Sequence, residues 1–286
     1  MPHRSRLEPK PPDLRFVPVE SLFPHERPDD QRLGALVERF REQQVLKNPP
    51  IVTPLAAEGA GPPRFMVLDG ANRATAARTA GFPHMVVQVT RYERPDIDLE
   101  TWNHALAERP RPDLEAALGA IKGLEREATG LLHARAQLAR REALAYVGYQ
   151  SGSATTLHGG RDLRDRNALL NDVVDLYRRG RFYREPGDSF EEAQARHASV
   201  TALLVFPHFE PAEILELAGS GARLPAGISR HLVQWRALRV NVPLDKLADS
   251  KLSLDAKNEW LKNWLGEKVT QRHVRYYEEP TVLFDE

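Results

Sequence analysis

The apolar and polar positions of the first hundred residues alternate between two rhythms. Leu14-Arg15-Phe16-Val17-Pro18-Val19 reads as a short strand, and the turn Pro24-His25-Glu26-Arg27-Pro28 follows it. From Asp30 to Gln44 the apolar residues Leu33, Leu36, Val37 and Phe40 recur at three- and four-residue spacing, which predicts a helix with Asp29 or Asp30 at its N-cap and Pro49-Pro50 as its stop. Ile51-Val52-Thr53 and Arg64-Phe65-Met66-Val67-Leu68 predict neighbouring strands joined by the Gly/Pro-rich loop AAEGAGPP. The second strand runs into Asp69-Gly70, a helix is expected over Ala71 to Ala80 with Gly81 as its end, and His84 to Val89 closes the pattern as a strand. The expected unit is β–helix–β–β–helix–β.

Beyond residue 105 the pattern stays mixed. Helices are expected over Asp113 to Leu124, in parts of Thr129 to Arg141, over Asp162 to Arg179 and from Pro211 to Leu217. A hairpin around Ser151-Gly152-Ser153 and strands at Val200 to Phe206, Ala237 to Val242 and Val282 to Phe284 complete the reading, with Trp260 and Trp264 four apart on a helix and Trp235, like them, a core anchor. The expected organisation is a flexible tail over 1–13, a first domain over 14–105 and a second, mixed α/β domain over 106–286, the boundary taken from ERPRPD.

Composition narrows the chemistry. A chain of 286 residues with 41% hydrophobic content is long enough to bury a real core, and no run approaches the ~20 apolar residues of a membrane span. No membrane partner is expected, and a cytoplasmic location follows by default. Lys+Arg and Asp+Glu both total 40, so the neutral chain lacks the basic excess of a nucleic-acid binder and DNA is an unlikely partner. The absence of cysteine excludes disulfides, thiolate metal sites and thiol catalysis. His158 and His208 have no partner at zinc-ligand spacing, and the arginine clusters at 161–166 and 178–184 read as solvated helix faces.

The strand-to-helix corner Asp69-Gly70-Ala71-Asn72-Arg73, with Thr75 one turn on, has the parts of an anion site. Helix N–H groups point outward, the dipole favours negative charge, Gly70 permits close approach, and Arg73 adds a forked cation. Phosphate fits there, with Asp69 placed to hold Mg²⁺ against it or to accept a proton. The residues alone leave open a plainer alternative, in which Asp69 only caps the helix and Arg73 is a surface charge.

The segments FVPVESLFPHERPDD, KNPPIVTPL and RFMVLDGANRATAARTAGFPHMVVQV resemble the N-terminal domain shared by ParB-type proteins and sulfiredoxins, whose Asp-Gly-x-His-Arg box binds nucleotide phosphates. Asn72 stands where that box has histidine; it can donate a hydrogen bond but carries no charge. Sulfiredoxin chemistry needs a cysteine that this chain lacks. The closer resemblance is to the free L-serine kinases, archaeal enzymes that use ADP and a siderophore-cluster enzyme that uses ATP. It is carried by His25-Glu26, by Thr101-Trp102-Asn103-His104 and by LPAGISRHLVQWRALRVNVPL at 224–244.

That resemblance implies an α/β fold with a ParB/sulfiredoxin-like nucleotide-binding domain and a kinase that phosphorylates free L-serine from ATP or ADP with Mg²⁺. It implies Glu26 as base, Asp69 as metal ligand or second base, and Gly70, Ala71, Asn72, Arg73 and Thr75 at the phosphates. Trp102, His104, Arg230 and His231 would line the serine pocket, Trp102 at the start of a helix and Arg230 on a loop, clamping the carboxylate. The competing expectation is a ParB-like nucleotide-binding regulator on DNA, although no basic recognition helix follows the first domain.

Overall fold

The computed structural model describes residues 11–28, 38, 44–55 and 62–277. All but residues 38 and 44 of the helix expected over 30–44, most of the loop over 56–63, the strand at 282–284 and the first ten residues of the expected tail lie outside them. The chain divides into two compact units, one formed by the described residues of 1–23, 30–97 and 233–286, the other by those of 24–29 and 98–232. This differs from the contiguous domains expected over 14–105 and 106–286, because the described residues from 233 onward belong with the first unit.

In the first unit a five-stranded sheet runs in the order Asp13–Pro18, His84–Val89, Ile51–Leu55, Arg64–Asp69, Leu22–Pro24. Ile51–Leu55 is antiparallel to Arg64–Asp69 and parallel to His84–Val89. Parallel neighbours need a crossover, and the helix Ala71–Thr79 lies within the stretch that supplies it. This helix begins at Gly70 and is followed by Gly81, both at positive φ (88° and 75°), where glycine is least strained. Its Ala74, Ala76 and Ala77 are buried in a core with Phe16, Val52, Val67 and Val86.

The C-terminal helix Leu254–Thr270 completes that core. The Asn258 side chain accepts from Phe16 N–H at 2.8 Å and donates to Phe16 C=O at 3.1 Å, and the Trp260 and Trp264 rings stack 5.4 Å apart against the same cluster. Asn258 thus meets the main-chain groups of Phe16 on Asp13–Pro18, the edge strand of the sheet among the described residues. The strand expected over Ala237 to Val242 is not formed beyond Val242–Pro243, because Arg239 and Asn241 sit at φ 52° and 57°, outside extended geometry. Trp235 is only half-buried and lies outside the core cluster.

The second unit is built on a six-stranded sheet in the order Phe182–Glu185, Asn103–Ala107, Val200–Val205, Ala145–Gly148, Ser153–His158, Glu125–Gly130. All its recorded pairings are antiparallel, and the expected hairpin around Ser151-Gly152-Ser153 is the pair Ala145–Gly148 and Ser153–His158. The amphipathic stretch from Asp162 forms the helix Leu163–Asp175, whose N-cap carboxylate accepts from Asp165 N–H. Trp102 does not begin a helix: it separates the strands Ile97–Thr101 and Asn103–Ala107. No helix among the described residues is long and apolar enough to cross a membrane.

Candidate active site

Two groups of sequence-selected residues assemble, one in each unit. In the second unit, main-chain pairing fixes the His25-Glu26-Arg27 turn. Leu224 N–H donates to His25 C=O at 2.8 Å and Arg27 N–H donates to Leu224 C=O at 2.9 Å. The partner segment is held in turn by buried Asn167 and Asn171, whose side-chain amides both donate to the carbonyl of Arg223.

Glu26 therefore faces the Pro225-Ala226-Gly227-Ile228-Ser229 loop at fixed distance. Its Oε2 accepts from Gly227 N–H at 2.7 Å, and its Oε1 accepts from Ser229 N–H at 2.8 Å and from Ser229 Oγ–H at 2.6 Å. A carboxylate offers about four lone-pair sites, so three donors leave room for one more. His25 Nε2 lies 2.7 Å from Ser229 Oγ. The Ser229 proton is committed to the carboxylate, which can only accept, so His25 Nε2 carries a proton and donates to Oγ. The ordered chain is His25 to Ser229 to Glu26.

His104 supports this loop from below. It is completely buried, with Nε2 3.0 Å from the Gly227 carbonyl and Nδ1 2.7 Å from the Tyr177 hydroxyl. A carbonyl only accepts, so the proton is on Nε2 and Nδ1 receives the Tyr177 O–H. Burial, helped by the charge of Arg184 and opposed by the Gly227 carbonyl, pushes its pKa down to about 3. It does not reach into a serine pocket as expected; both ring nitrogens are used inside the protein.

Arg230 and His231 stand on the strand Ser229–Val233 rather than on a loop. Arg230 Nη1 donates to Glu100 at 2.8 Å, and its guanidinium covers the Trp102 ring at 4.5 Å. The His231 ring meets that of His25 edge-on at 5.1 Å.

In the first unit the Asp69–Arg73 corner forms as a strand-to-helix turn. Among the described residues no side chain caps the helix at Gly70, the arrangement in which a first turn accepts anions. A side chain at Gly70 would crowd Arg73 Nη2 (2.9 Å) and Pro50 Cα (3.1 Å), so the position needs glycine for space as well as for its φ of 88°. Arg73 folds back, donating to the Asn48 carbonyl and, at 3.3 Å, to Asp69 Oδ2. Thr75 Oγ1 donates to the Ala71 carbonyl at 2.9 Å, within its own helix.

A second guanidinium, which the sequence did not single out, completes this corner. Arg236 Nη2 lies 3.0 Å from Asp69 Oδ2. Buried Gln88 places it by bracketing its neighbours, donating to the Trp235 carbonyl at 3.1 Å and accepting from Ala237 N–H at 2.8 Å. Burial works to raise the Asp69 pKa, but Arg73, Arg236 and the Gly70 N–H together outweigh it and hold the carboxyl below its ordinary value. No cluster of three or more metal-ligating side chains occurs among the described residues, and the one carboxylate here already faces two guanidiniums. These residues do not fit a protein-built magnesium site with Asp69 as its ligand.

No protein-family model matches the chain. Over 109 residues it is 28% identical to the ATP-dependent L-serine kinase of Desulfurococcus mucosus, covering 38% of this chain and 40% of that protein. Over 91 residues it is 31% identical to the ATP-dependent L-serine kinase of Staphylothermus marinus, covering 32% of this chain and 34% of the relative. The chain thus spans two fifths or less of the curated relatives it matches. A solved free serine kinase in complex with AMP superposes with a TM-score of 0.69 at 17% identity, over 85% of this chain and 97% of that one. The chain shares the fold of that solved structure. The resemblance carried by the sequence motifs, and the α/β class it implied, are borne out.

Within this fold, the residues that sequence reasoning missed are the partners. Gly227 and Ser229 lie in the quoted 224–244 segment without having been singled out, and Arg236 is there too. Their signal was the segment as a whole.

Proposed function

We propose that this protein is a free L-serine kinase that transfers a phosphoryl group from ATP or ADP to the serine hydroxyl, giving O-phospho-L-serine. The observation that carries the reading is the Glu26 carboxylate, oriented by Gly227 N–H, Ser229 N–H and Ser229 Oγ–H with one acceptor position left over. The likeness to proteins named L-serine kinases supports it.

In the reaction the serine hydroxyl oxygen attacks the terminal phosphorus as the bond to the leaving nucleotide oxygen breaks. The hydroxyl proton passes to Glu26, and the nucleotide departs one phosphate shorter. Phosphoryl transfer asks chiefly for positioning and charge neutralisation. The first helical turn at Ala71, Asn72 and Arg73 receives the phosphates, with Gly70 permitting close backbone approach. Asp69 holds Arg73 and Arg236 in register for that contact. Magnesium brought with the nucleotide would supply neutralisation of phosphate charge, without Asp69 as its ligand. Trp102 and His231 line the acceptor side.

Incubation of the purified chain with L-serine, Mg²⁺ and either ATP or ADP tests this, with phosphorus NMR and mass spectrometry as readouts. O-phosphoserine is the expected product; no product with either nucleotide overturns the reading.

A further inference from the structure

An amino-acid acceptor brings a carboxylate, and the arginine expected to clamp it is already engaged: Arg230 is spent on Glu100 and Trp102. Another arginine borders the Glu26 loop. Arg184 stands on the strand Phe182–Glu185, opposite His104 in register. Its guanidinium crowds Gly227, so close that a Cβ built there would fall 2.6 Å from Arg184 Cζ and nearer still to its Nε and Nη2. Gly227 is the residue whose N–H holds Glu26 Oε2 and whose carbonyl is held by His104.

The side chain of Arg184 makes no hydrogen bond or ion pair among the described residues, and its Nε is buried without a partner. A buried donor left unmade costs free energy, which a native protein tolerates where a ligand will complete it. A guanidinium presents paired N–H groups in a plane, matched to the two oxygens of a carboxylate. Gly227 makes the arrangement possible, because any side chain there would occupy the space of the guanidinium.

We propose that Arg184 is a specificity-determining residue of the acceptor site, binding the α-carboxylate of the amino acid and so presenting its hydroxyl to Glu26. The inference rests on the serine kinase reading and adds the residue that distinguishes an amino acid from a simple alcohol.

The test uses the full chain and two acceptors, L-serine and ethanolamine, which keeps the hydroxyl and amine but lacks the carboxylate. With Arg184→Met, KM for L-serine rises on the order of 10- to 100-fold, as for loss of one partner of a hydrogen-bonded charge pair. KM for the nucleotide and kcat/KM for ethanolamine stay as in the unmodified chain, so discrimination between the acceptors collapses; Arg184→Lys restores part of it. A merely structural role would depress both acceptors together, and that result, or an unchanged KM for L-serine, overturns the proposal. If Arg184→Met lowers the melting temperature enough to compromise folding, Arg184→Lys with the same two acceptors decides, and unchanged discrimination there overturns it. An unmodified chain that makes no phosphoserine sinks the kinase reading and this inference together, whereas one that turns over with no change in Arg184→Met sinks the inference alone.

Discussion

Glu26 and Asp69 are both carboxylates at turns, yet their surroundings are opposite in kind. Glu26 is held by two backbone N–H groups and a serine hydroxyl, neutral donors that orient it. Asp69 is held by two guanidiniums, and its pKa is depressed by them. A general base works best when the proton it takes is not strongly disfavoured, and cations crowding a carboxylate disfavour it. The two arrangements differ in what they leave open: three donors to Glu26 leave one acceptor position over, whereas the contacts of Asp69 tie Arg73 and Arg236 to the corner.

The sharpest way to break this contrast is to neutralise each carboxylate in turn. Glu26→Gln lowers kcat by about 100- to 10,000-fold, the usual contribution of a positioned base, and lowers the melting temperature modestly, since its amide nitrogen meets one of the backbone N–H donors, while the chain stays folded. Asp69→Asn acts on nucleotide affinity instead, raising KM for ATP or ADP by about 3- to 10-fold as the two guanidiniums lose their anchor. Steady-state kinetics on both variants checks the split. An Asp69→Asn protein with kcat as low as that of Glu26→Gln and an unchanged nucleotide KM would return the base role to Asp69.

A smaller effect separates the corner from the loop by backbone geometry. Gly70→Ala places a Cβ at φ 88° against Arg73 and Pro50, and the strain should cost about 1–3 kcal/mol of stability. It raises KM for the nucleotide more than KM for serine, measured with each co-substrate saturating. Equal changes in both would mean that the corner does not distinguish the two substrates.

How much of this was legible depended on the range of the interaction. The strand Arg64–Asp69, Gly70 and the helix Ala71–Thr79 announce themselves locally through an apolar run, a glycine and an alanine-rich stretch. Glu26 was found through the motif around it, but its three hydrogen bonds join residues about two hundred positions apart, and no local pattern records that. The return of the chain's end to the first unit was hidden for the same reason, since Phe16 and Asn258 meet only after folding. His104 shows the opposite error: its motif made it a substrate contact, whereas packing against Tyr177, Phe182 and Phe206 makes it a core residue.

His104 also gives the smallest and most specific test, because its role is written in pH. A histidine with a pKa near 3 when folded and about 6.5 when unfolded binds fewer protons in the folded state throughout that interval. Stability from this residue is therefore whole above about pH 6.5 and declines as pH falls toward 3, by at most about 1.4 kcal/mol per pH unit. Denaturant unfolding at several pH values measures the slope for the whole chain, and His104→Gln removes this residue's share of it. Its amide can still donate to the Gly227 carbonyl, so the Glu26 loop keeps that support and the pH dependence of folding separates from that of turnover. A His104→Gln slope equal to that of the unmodified chain would mean that the imidazole is protonated in the folded state, and that the loop under Glu26 rests on a charge rather than on a neutral ring.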